Sequence, residues 1–381
     1  MFNVIAALDS FKGSLSSLDA GQAVRRGILR RIPSANVTVF AVGDGGEGTA
    51  SALCQSLRAD PTEVRAHDTH MAPITAVMGI TTIEGTKTAI FDMAAASGIA
   101  FAKSHHFDIL QSTTYGVGEM IRAAVSAGCS EIIVGLGGSG TSDGGIGALT
   151  SLGAVFYDAH QNQLDGRTAS LGSVVSCDLT PALQLLKGIK LTLLYDAGVM
   201  LTGEKGAVRM FSRQKGASEE MLPQLESAMI QYASVCDKAV SAPVSHLPGA
   251  GAAGGLGYGL SLVGGLLTPG ADYVLQTIGF PKAAESADLI ITGEGKTDSQ
   301  TETGKLPAAV SRYSGGKTVV CLCGKNEAGE GLYSLGIDAV FSICDGPLSL
   351  NESMERTGEL LEKSAFDLAG LVQKLCTNQK N

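Results

Sequence analysis

The chain has 381 residues, a hydrophobic fraction of 44% and a formal net charge of −9. This length suits two domains, and the negative charge argues against a nucleic-acid partner. The N-terminal residues lack the pattern of a signal peptide, no apolar run is long enough to span a membrane, and the eight cysteines are scattered. We therefore expect a cytoplasmic enzyme with reduced thiols and no membrane partner, and the sequence leaves a homodimer open.

The N-terminal region predicts two β-loop-α units. Residues 4–8 and 37–42 are apolar runs typical of buried strands. A polar loop follows each run, and a helical pattern follows each loop. Such units build parallel sheets.

The middle of the chain has a different pattern. Residues 67–90 contain short extended segments separated by turn residues, as in antiparallel strands. The apolar run 131–134 leads into a glycine-rich stretch, and the run 190–195 leads to Asp196. These features predict a second α/β domain.

The C-terminal region returns to the first pattern, with strands at 287–291, 318–323 and 339–343 and a long helix at about 353–375. We therefore predict an α/β fold of two domains. A Rossmann-like parallel-sheet domain (1–66 plus 286–381) is split by an inserted α/β domain (67–285).

Polar loops after the first two predicted strands carry candidate substrate-binding residues. Ligands of open parallel sheets bind at the carboxyl ends of the strands, so these loops are well placed. A lysine there suits a carboxylate or a phosphate, and a serine suits a hydroxyl group. The candidates are Asp9, Ser10, Lys12, Asp44, Gly45, Gly46 and Glu47.

Residues 292–301 form the densest polar cluster of the chain and follow a predicted buried strand. Glu294 and Asp298 suit a metal ion or a general base. Lys296 and, behind the cluster, Lys305 suit the neutralisation of phosphate. The cluster therefore predicts a site for a charged ligand.

Residues 135–147 read GLGGSGTSDGGIG. The first glycines match the dinucleotide pattern G-x-G-x-x-G, and Asp158 has about the spacing of a ribose-binding acid, so an NAD-dependent oxidoreductase is one alternative. The negative charge of Asp143 would repel a pyrophosphate bound at the start of the next helix. A cation between them, such as the Mg²⁺ that accompanies a nucleotide, would remove this repulsion. A second interpretation is therefore a phosphate-binding loop with Asp143 as a metal ligand. A third is that Asp143 only caps the following helix.

Two further polar residues follow the apolar run 190–195. Asp196 is a candidate general base, and Lys215 could reach a phosphate. The segment nearest to a Walker A motif, residues 311–318, begins with serine where glycine is required. A kinase with this sequence must hold its phosphates without a P-loop.

Taken in order, these motifs resemble those of the type-I glycerate kinase family. The matching stretches are DSFKGSLS at 9–16, DGGEGT at 44–49, MAAASG at 93–98, GGSGTSDGG at 137–145, QKGA at 214–217, PGAGAAGGLG at 248–257 and TGEGKTDSQT at 292–301, with Gly304 and Lys305. The resemblance implies Mg-ATP-dependent phosphorylation of D-glycerate, usually at the 2-hydroxyl. It also implies an active site in a cleft between two α/β domains.

The chain departs from the family pattern at a few positions. Val199 and Met200 replace an Asn-Pro pair after the retained Asp196, and Asp92 replaces a glutamate. Lys296 replaces an arginine, which keeps the charge but loses the bidentate geometry. A catalytically weakened relative that binds glycerate therefore stays open as a third alternative.

We predict phosphoryl transfer from Mg-ATP to a small hydroxy-carboxylate. Lys12 and Ser10 are expected to hold the substrate, and Asp196, with Asp298 second, to orient or deprotonate its hydroxyl. The predicted Mg²⁺ ligands, acting mostly through water, are Asp143, Glu294 and Asp298, with Asp44 nearby. The predicted nucleotide contacts are Gly137, Gly138, Ser139, Thr141, Lys215, Glu294, Lys296 and Lys305.

Overall fold

The computed structural model describes residues 2–103, 108–298, 301 and 305–378. The chain forms two compact units. The first unit comprises the residues up to 44, residues 55–57 and the residues from 271 onward, and the second comprises residues 45–54 and 58–270.

The first unit contains a five-stranded sheet in the order β13-β12-β11-β1-β2, and every pairing in it is parallel. The buried apolar strand centres predicted this arrangement, because a sheet covered on both faces needs continuous apolar runs. The strands are β1 (Asn3–Leu8), β2 (Asn36–Val39), β11 (Leu289–Thr297), β12 (Val319–Asn326) and β13 (Ala339–Ser342).

The second unit contains a six-stranded mixed sheet in the order β10-β9-β6-β5-β4-β3 and a small antiparallel hairpin. The β3-β4 and β4-β5 pairings are antiparallel, as predicted for residues 67–90, and the other pairings are parallel. Its strands are β3 (Asp60–His67), β4 (Pro73–Ile83), β5 (Thr86–Asp92), β6 (Glu131–Gly135), β9 (Lys190–Tyr195) and β10 (Leu266–Pro269), with β7 (Val155–Tyr157) and β8 (Ser176–Asp178) in the hairpin.

Helices connect these strands along the chain. The α-helices up to residue 211 are α1 (Ser17–Arg31), α2 (Thr49–Leu57), α3 (Ala94–Ser97), α4 (Ile99–Lys103), α5 (Tyr115–Ser126), α6 (Ile146–Ser151), α7 (Thr180–Leu185) and α8 (Ala207–Phe211). Those that follow are α9 (Leu222–Cys236), α10 (Ala252–Ser261), α11 (Gly270–Thr277), α12 (Phe280–Ala284), α13 (Leu306–Arg312), α14 (Leu350–Glu355) and α15 (Thr357–Asn378). No helix among the described residues is both long enough and apolar enough to cross a membrane.

Ser17 fixes the two loops that leave β1 and β2. Its buried hydroxyl donates to the carbonyl of Leu8 (2.7 Å) and accepts from the amide of Val42 (2.8 Å). A buried hydroxyl that is satisfied on both sides holds its neighbours in one arrangement. The start of α1 therefore positions the polar residues that follow both strands.

The α/β class is confirmed, and the observed divisions of the chain differ from the expected ones. Residues 45–54 and 58–66 belong to the second unit, in which β3 pairs along its length with β4, and residues 271–285 belong to the first. The polar segment that begins at Thr292 was expected to be a loop. Instead, β11 continues to Thr297, and Lys296 pairs in register with Lys325 of β12.

Candidate active site

A cavity of about 920 Å³ lies in the first unit. Its lining comes largely from the residues at or just after the carboxyl ends of β1, β11, β12 and β13, where open parallel sheets bind ligands. The predicted site residues of this unit all line it: Asp9, Ser10, Lys12, Asp44, Glu294, Lys296, Asp298 and Lys305. Residues distant in sequence thus meet in one cavity.

The cavity brings together three buried carboxyl groups, those of Asp9, Asp44 and Glu294, which are only 4–7% exposed. Burial, followed by the charge of Asp44, raises the pKa of Asp9 well above its ordinary value. Burial also raises the pKa of Glu294 to about 7, although the Thr301 hydroxyl donates to its Oε1 (2.8 Å). The ionised forms of such buried carboxyl groups are stabilised when a cation or a strong hydrogen-bond donor binds beside them.

Lysines surround these carboxyl groups. Lys12 is exposed in the loop after β1, and Lys305 is half-buried immediately before α13. Lys296 and Lys325 each approach Glu327 at 2.6 Å, in exposed ion pairs that hold the two ammonium groups at the cavity. The cavity therefore offers both signs of charge, as phosphoryl transfer requires.

Asp298 lies at the end of β11 and lines the cavity. Its amide donates to the hydroxyl of Thr301 (3.0 Å), and that hydroxyl donates in turn to Glu294. This arrangement links the backbone at Asp298 to the buried carboxyl group. Residues 299, 300 and 302–304 of the motif lie outside the described residues.

Several cavity residues were not predicted. Lys325 and Asn326 end β12, and the rule that pointed to the ends of the other strands could have found them. The others are mostly apolar or small and resemble core residues in the sequence. They include Phe11, Ser342, Ile343, Cys344, Leu348, Leu350, Ser353, Met354 and Thr357.

In the second unit, the loop of residues 45–49 packs on the carboxyl ends of two strands. A Cβ atom added at Gly45 would lie 2.3 Å from the backbone of Tyr195, and one at Gly137 would lie 2.1 Å from the amide nitrogen of Glu47. The structure thereby brings together the predicted residues Gly45, Gly46, Glu47, Gly137, Gly138 and Asp196. Glycine is required here because protein backbone approaches protein backbone.

Asp143 forms hydrogen bonds inside the protein. It is 0% exposed, and Oδ2 accepts from the amide (2.7 Å) and hydroxyl (2.8 Å) of Thr114 and the amide of Gly147 (3.2 Å), while Oδ1 accepts from Gly145 (3.1 Å). Burial raises its pKa against the effect of these donors. These hydrogen bonds favour a structural role for the carboxylate at the start of α6. Its predicted role as a metal ligand stays a prediction.

Lys215 is also used inside the protein. It is 2% exposed, and its Nζ donates to the Ser139 hydroxyl and to the Thr141 carbonyl, each at 2.7 Å. Burial lowers its pKa to about 7, and the charge of Asp143 opposes that shift. Lys215 therefore stabilises the glycine-rich loop, and its predicted contact with phosphate stays a prediction.

The geometry does not favour the dinucleotide alternative. A pyrophosphate needs open amides at a helix start, yet Asp143 occupies the amides of Gly145 and Gly147 there. Asp158, the expected ribose-binding acid, accepts from the amides of His160 and Asn162 (2.8 Å each) within a tight turn. The amides at the helix start and the carboxylate of Asp158 are therefore both engaged within the protein, whereas a dinucleotide site needs them open.

A model of the glycerate kinase family matches residues 4–373. The chain belongs to the glycerate kinase family. It is therefore an enzyme of a phosphotransferase family, which confirms the resemblance seen in the motifs. Members of this kinase family use ATP.

Individual members of the family match this chain along nearly its whole length. Glycerate kinases of Bacillus subtilis and Bacillus cereus are 36% and 37% identical over 374 and 377 residues, or 97% of this chain and 97% of each relative. A glycerate 2-kinase of Escherichia coli is 35% identical over 370 residues, covering 96% of this chain and 97% of the relative. A solved structure described as glycerate kinase 2 from Salmonella typhimurium has a TM-score of 0.84 and 32% identity, with 100% of both chains covered.

Proposed function

We propose that this member of the glycerate kinase family transfers the terminal phosphoryl group of ATP to the 2-hydroxyl of D-glycerate, with Mg²⁺ as the metal ion. The observation that carries the proposal is the cavity of the first unit, where buried carboxyl groups and lysines meet at the ends of parallel strands. One curated relative is named a glycerate 2-kinase, which supports the choice of hydroxyl.

Lys12 and Ser10 are proposed to bind the substrate. An exposed ammonium group at the edge of the cavity suits the carboxylate of glycerate, and the serine hydroxyl suits its alcohol groups. The buried carboxyl groups of Asp9 and Asp44 would accept hydrogen bonds from those alcohol groups. Glycerate would thus be held by its carboxylate on one side and its hydroxyl groups on the other.

The residues of the cavity fit a magnesium ion that is shared with a nucleotide. The described residues contain no group of three His, Cys, Asp or Glu side chains that could hold a metal by themselves. Mg²⁺ usually keeps several waters and takes one or two carboxylates plus substrate phosphates. Glu294 and Asp298 would supply those carboxylates, and the bound ion would offset charge on the transferred phosphoryl group.

Two carboxylates are proposed as alternatives for accepting the proton of the substrate hydroxyl. Asp298 lines the cavity of the first unit, and Asp196 follows β9 in the second unit. Lys296 and Lys305 would offset phosphate charge in either case. Separate Asp196→Asn and Asp298→Asn variants distinguish the two, because the acceptor should lose much more kcat than the other residue.

The test measures ADP release over a panel of hydroxy acids, with and without Mg²⁺, and identifies the product by ³¹P NMR. We expect ADP formation that requires both D-glycerate and Mg²⁺, with 2-phosphoglycerate as the product. Formation of 3-phosphoglycerate would contradict the choice of hydroxyl. Binding of glycerate by calorimetry without ADP formation would instead favour the catalytically weakened relative. Cytoplasmic location and a homodimer stay predictions.

A further inference from the structure

The lining of the 920 Å³ cavity is not uniform. The sheet order β13-β12-β11-β1 places the loop after β13 three strand spacings, roughly 14 Å, from the loop after β1. The β1 side carries Asp9, Ser10 and Lys12, whereas the β13 side is mainly apolar. The apolar residues on that side are Ile343, Cys344, Leu348 and Leu350, whereas Met354 lies against the loop after β1.

Helix α14 joins the β13 side of the cavity to the loop after β1. Ile343 is buried in the core of the first unit, and Leu348 packs against that core. The hydroxyl of Ser14 donates to the carbonyl of Met354 in α14, so the loop after β1 is joined to that helix. Leu350 begins α14 and is 74% exposed. This part of the cavity therefore has a fixed wall and an apolar rim.

The size of the cavity exceeds the need of a three-carbon acid. Its volume lies near the upper end of the roughly 300–1,000 Å³ that is usual for pockets holding drug-sized ligands. Glycerate carries a carboxylate and hydroxyl groups, which suit the charged side and leave the apolar side uncovered. A nucleotide has the opposite distribution, with a flat base at one end and phosphates at the other.

We propose that the adenosine part of the nucleotide binds in the first unit, on the β13 side of this cavity, against Ile343, Cys344 and Leu348. The phosphates would then extend along the ends of β12 and β11 toward Lys325 and Lys296. This inference rests on the proposed use of ATP, and it adds which unit and which side chains hold the base.

Cys344 offers a direct test, because it is half-buried and lines the β13 side. The purified protein is treated with iodoacetamide, with and without saturating ADP in the absence of Mg²⁺, and alkylation of each cysteine is followed by mass spectrometry. We expect ADP to slow alkylation of Cys344 at least fivefold. Cys54 and Cys177, which are half-buried in the second unit, serve as internal controls and should not change.

The control cysteines also test another location. Cys54 lines a smaller cavity of about 440 Å³ in the second unit. Slower alkylation of Cys54 with ADP, and an unchanged rate at Cys344, would overturn the proposal. Protection of Cys344 by glycerate alone, but not by ADP, would also overturn it.

Substitutions test the apolar contacts without relying on the cysteine. Leu348→Ala and Leu350→Glu should each weaken ADP binding roughly tenfold by calorimetry, and Leu350 is exposed enough for the variant to fold. Leu183→Ala, at a half-exposed leucine of the second unit, is the matched control and should leave binding unchanged. Equal ADP affinity in the wild-type protein and both cavity variants would contradict the proposal.

The outcomes separate this inference from the proposed function. Protection of Cys344 by ADP without any phosphorylation of glycerate would support the adenosine site and contradict the proposed reaction. Normal phosphorylation of glycerate without protection at saturating ADP would support the reaction and overturn the adenosine site.

Discussion

The two units use polar residues at the carboxyl ends of their parallel strands in opposite ways. In the first unit, Asp9, Glu294 and the nearby lysines line a cavity of about 920 Å³. In the second unit, Asp143 and Lys215 are buried, and their polar atoms are bonded within the protein. A polar motif after a strand therefore indicates a binding site only when its donors and acceptors are not already used internally.

Gly295, beside the cavity, has more room than the glycines of the second-unit loop. In the second unit, Gly137, Gly140 and Gly147 each lie where an added Cβ atom would come within 2.0–2.7 Å of other protein atoms. In the first unit, a Cβ atom added at Gly295 beside the cavity would meet its nearest atom only at 3.8 Å. The glycine-rich loop of the second unit is thus a packing device, and the polar strand end of the first unit has room for a ligand.

The largest effect that we expect is on stability, at Asp143. Asp143→Ala should lower the free energy of unfolding by about 3–5 kcal/mol, because the amides of Thr114, Gly145 and Gly147 would be left buried without an acceptor. Urea unfolding of the variant and the wild-type protein measures this difference.

The control is Asp158→Ala in an exposed turn, which should lower the free energy of unfolding far less. An Asp143→Ala protein that unfolds like the wild type but needs more Mg²⁺ would restore the metal role and remove the contrast between the two units.

The next largest effect is on turnover, at Lys12. Lys12→Ala should lower kcat/KM for glycerate by about 10²–10³-fold, the usual loss when a charge-stabilising donor is removed from an active site. Its unfolding midpoint should stay unchanged because the side chain is exposed. Steady-state kinetics and urea unfolding check the two parts.

Lys187→Ala, at an exposed lysine of the second unit, is the control and should keep full activity. A normal rate for Lys12→Ala would show that the substrate is not held in the first-unit cavity.

Much of the fold could be predicted from the sequence, because most strands are apolar runs followed by polar loops. A clear exception is β3, whose sequence DPTEVRAH is polar and contains a proline. An edge strand of this kind is defined by its pairing with β4 and carries little pattern of its own. For that reason residues 58–66 were expected in the wrong unit.

The two parts of the site differed in how well they could be predicted. Residues such as Asp9 and Glu294 follow from a rule about strand ends and require no knowledge of their neighbours. The occupation of Asp143 depends on Thr114, 29 residues away, and no local pattern shows that bond. The apolar side of the cavity was missed because residues such as Ile343 have the composition of a core.

A smaller effect is expected where glycine permits backbone packing. Gly137→Ala should lower the free energy of unfolding by about 1–3 kcal/mol, because the added methyl group would overlap the backbone of Gly46 and Glu47. The control is Gly358→Ala in α15, where the nearest atom lies 3.6 Å away. Helix propensity predicts a slight stabilisation there. Equal stability of the Gly137→Ala protein and the wild type would mean that the loop is open enough to accept a ligand.

A last effect of similar size depends on pH and concerns the buried carboxyl group of Glu294. The pKa of Glu294 is about 7 in the folded protein, against an ordinary value of 4.5. Between these values the unfolded chain loses a proton that the folded chain keeps, so the stability of the wild-type protein falls as the pH rises through this window. Glu294→Gln resembles the protonated form and removes that loss.

Glu294→Gln should therefore match the wild type near pH 4.5 and exceed its free energy of unfolding by about 1–3 kcal/mol at pH 8, as measured by urea unfolding at both pH values. Glu327→Gln should change in the opposite direction, because ion pairs with Lys296 and Lys325 lower the pKa of Glu327. If Glu294→Gln stabilises the protein equally at both pH values, the ionised carboxylate of Glu294 does not destabilise the folded protein. If the ionised carboxylate does destabilise the folded protein, a bound cation or hydrogen-bond donor beside it should offset that effect. Saturating Mg-ATP should therefore stabilise the wild type more than the variant at pH 8.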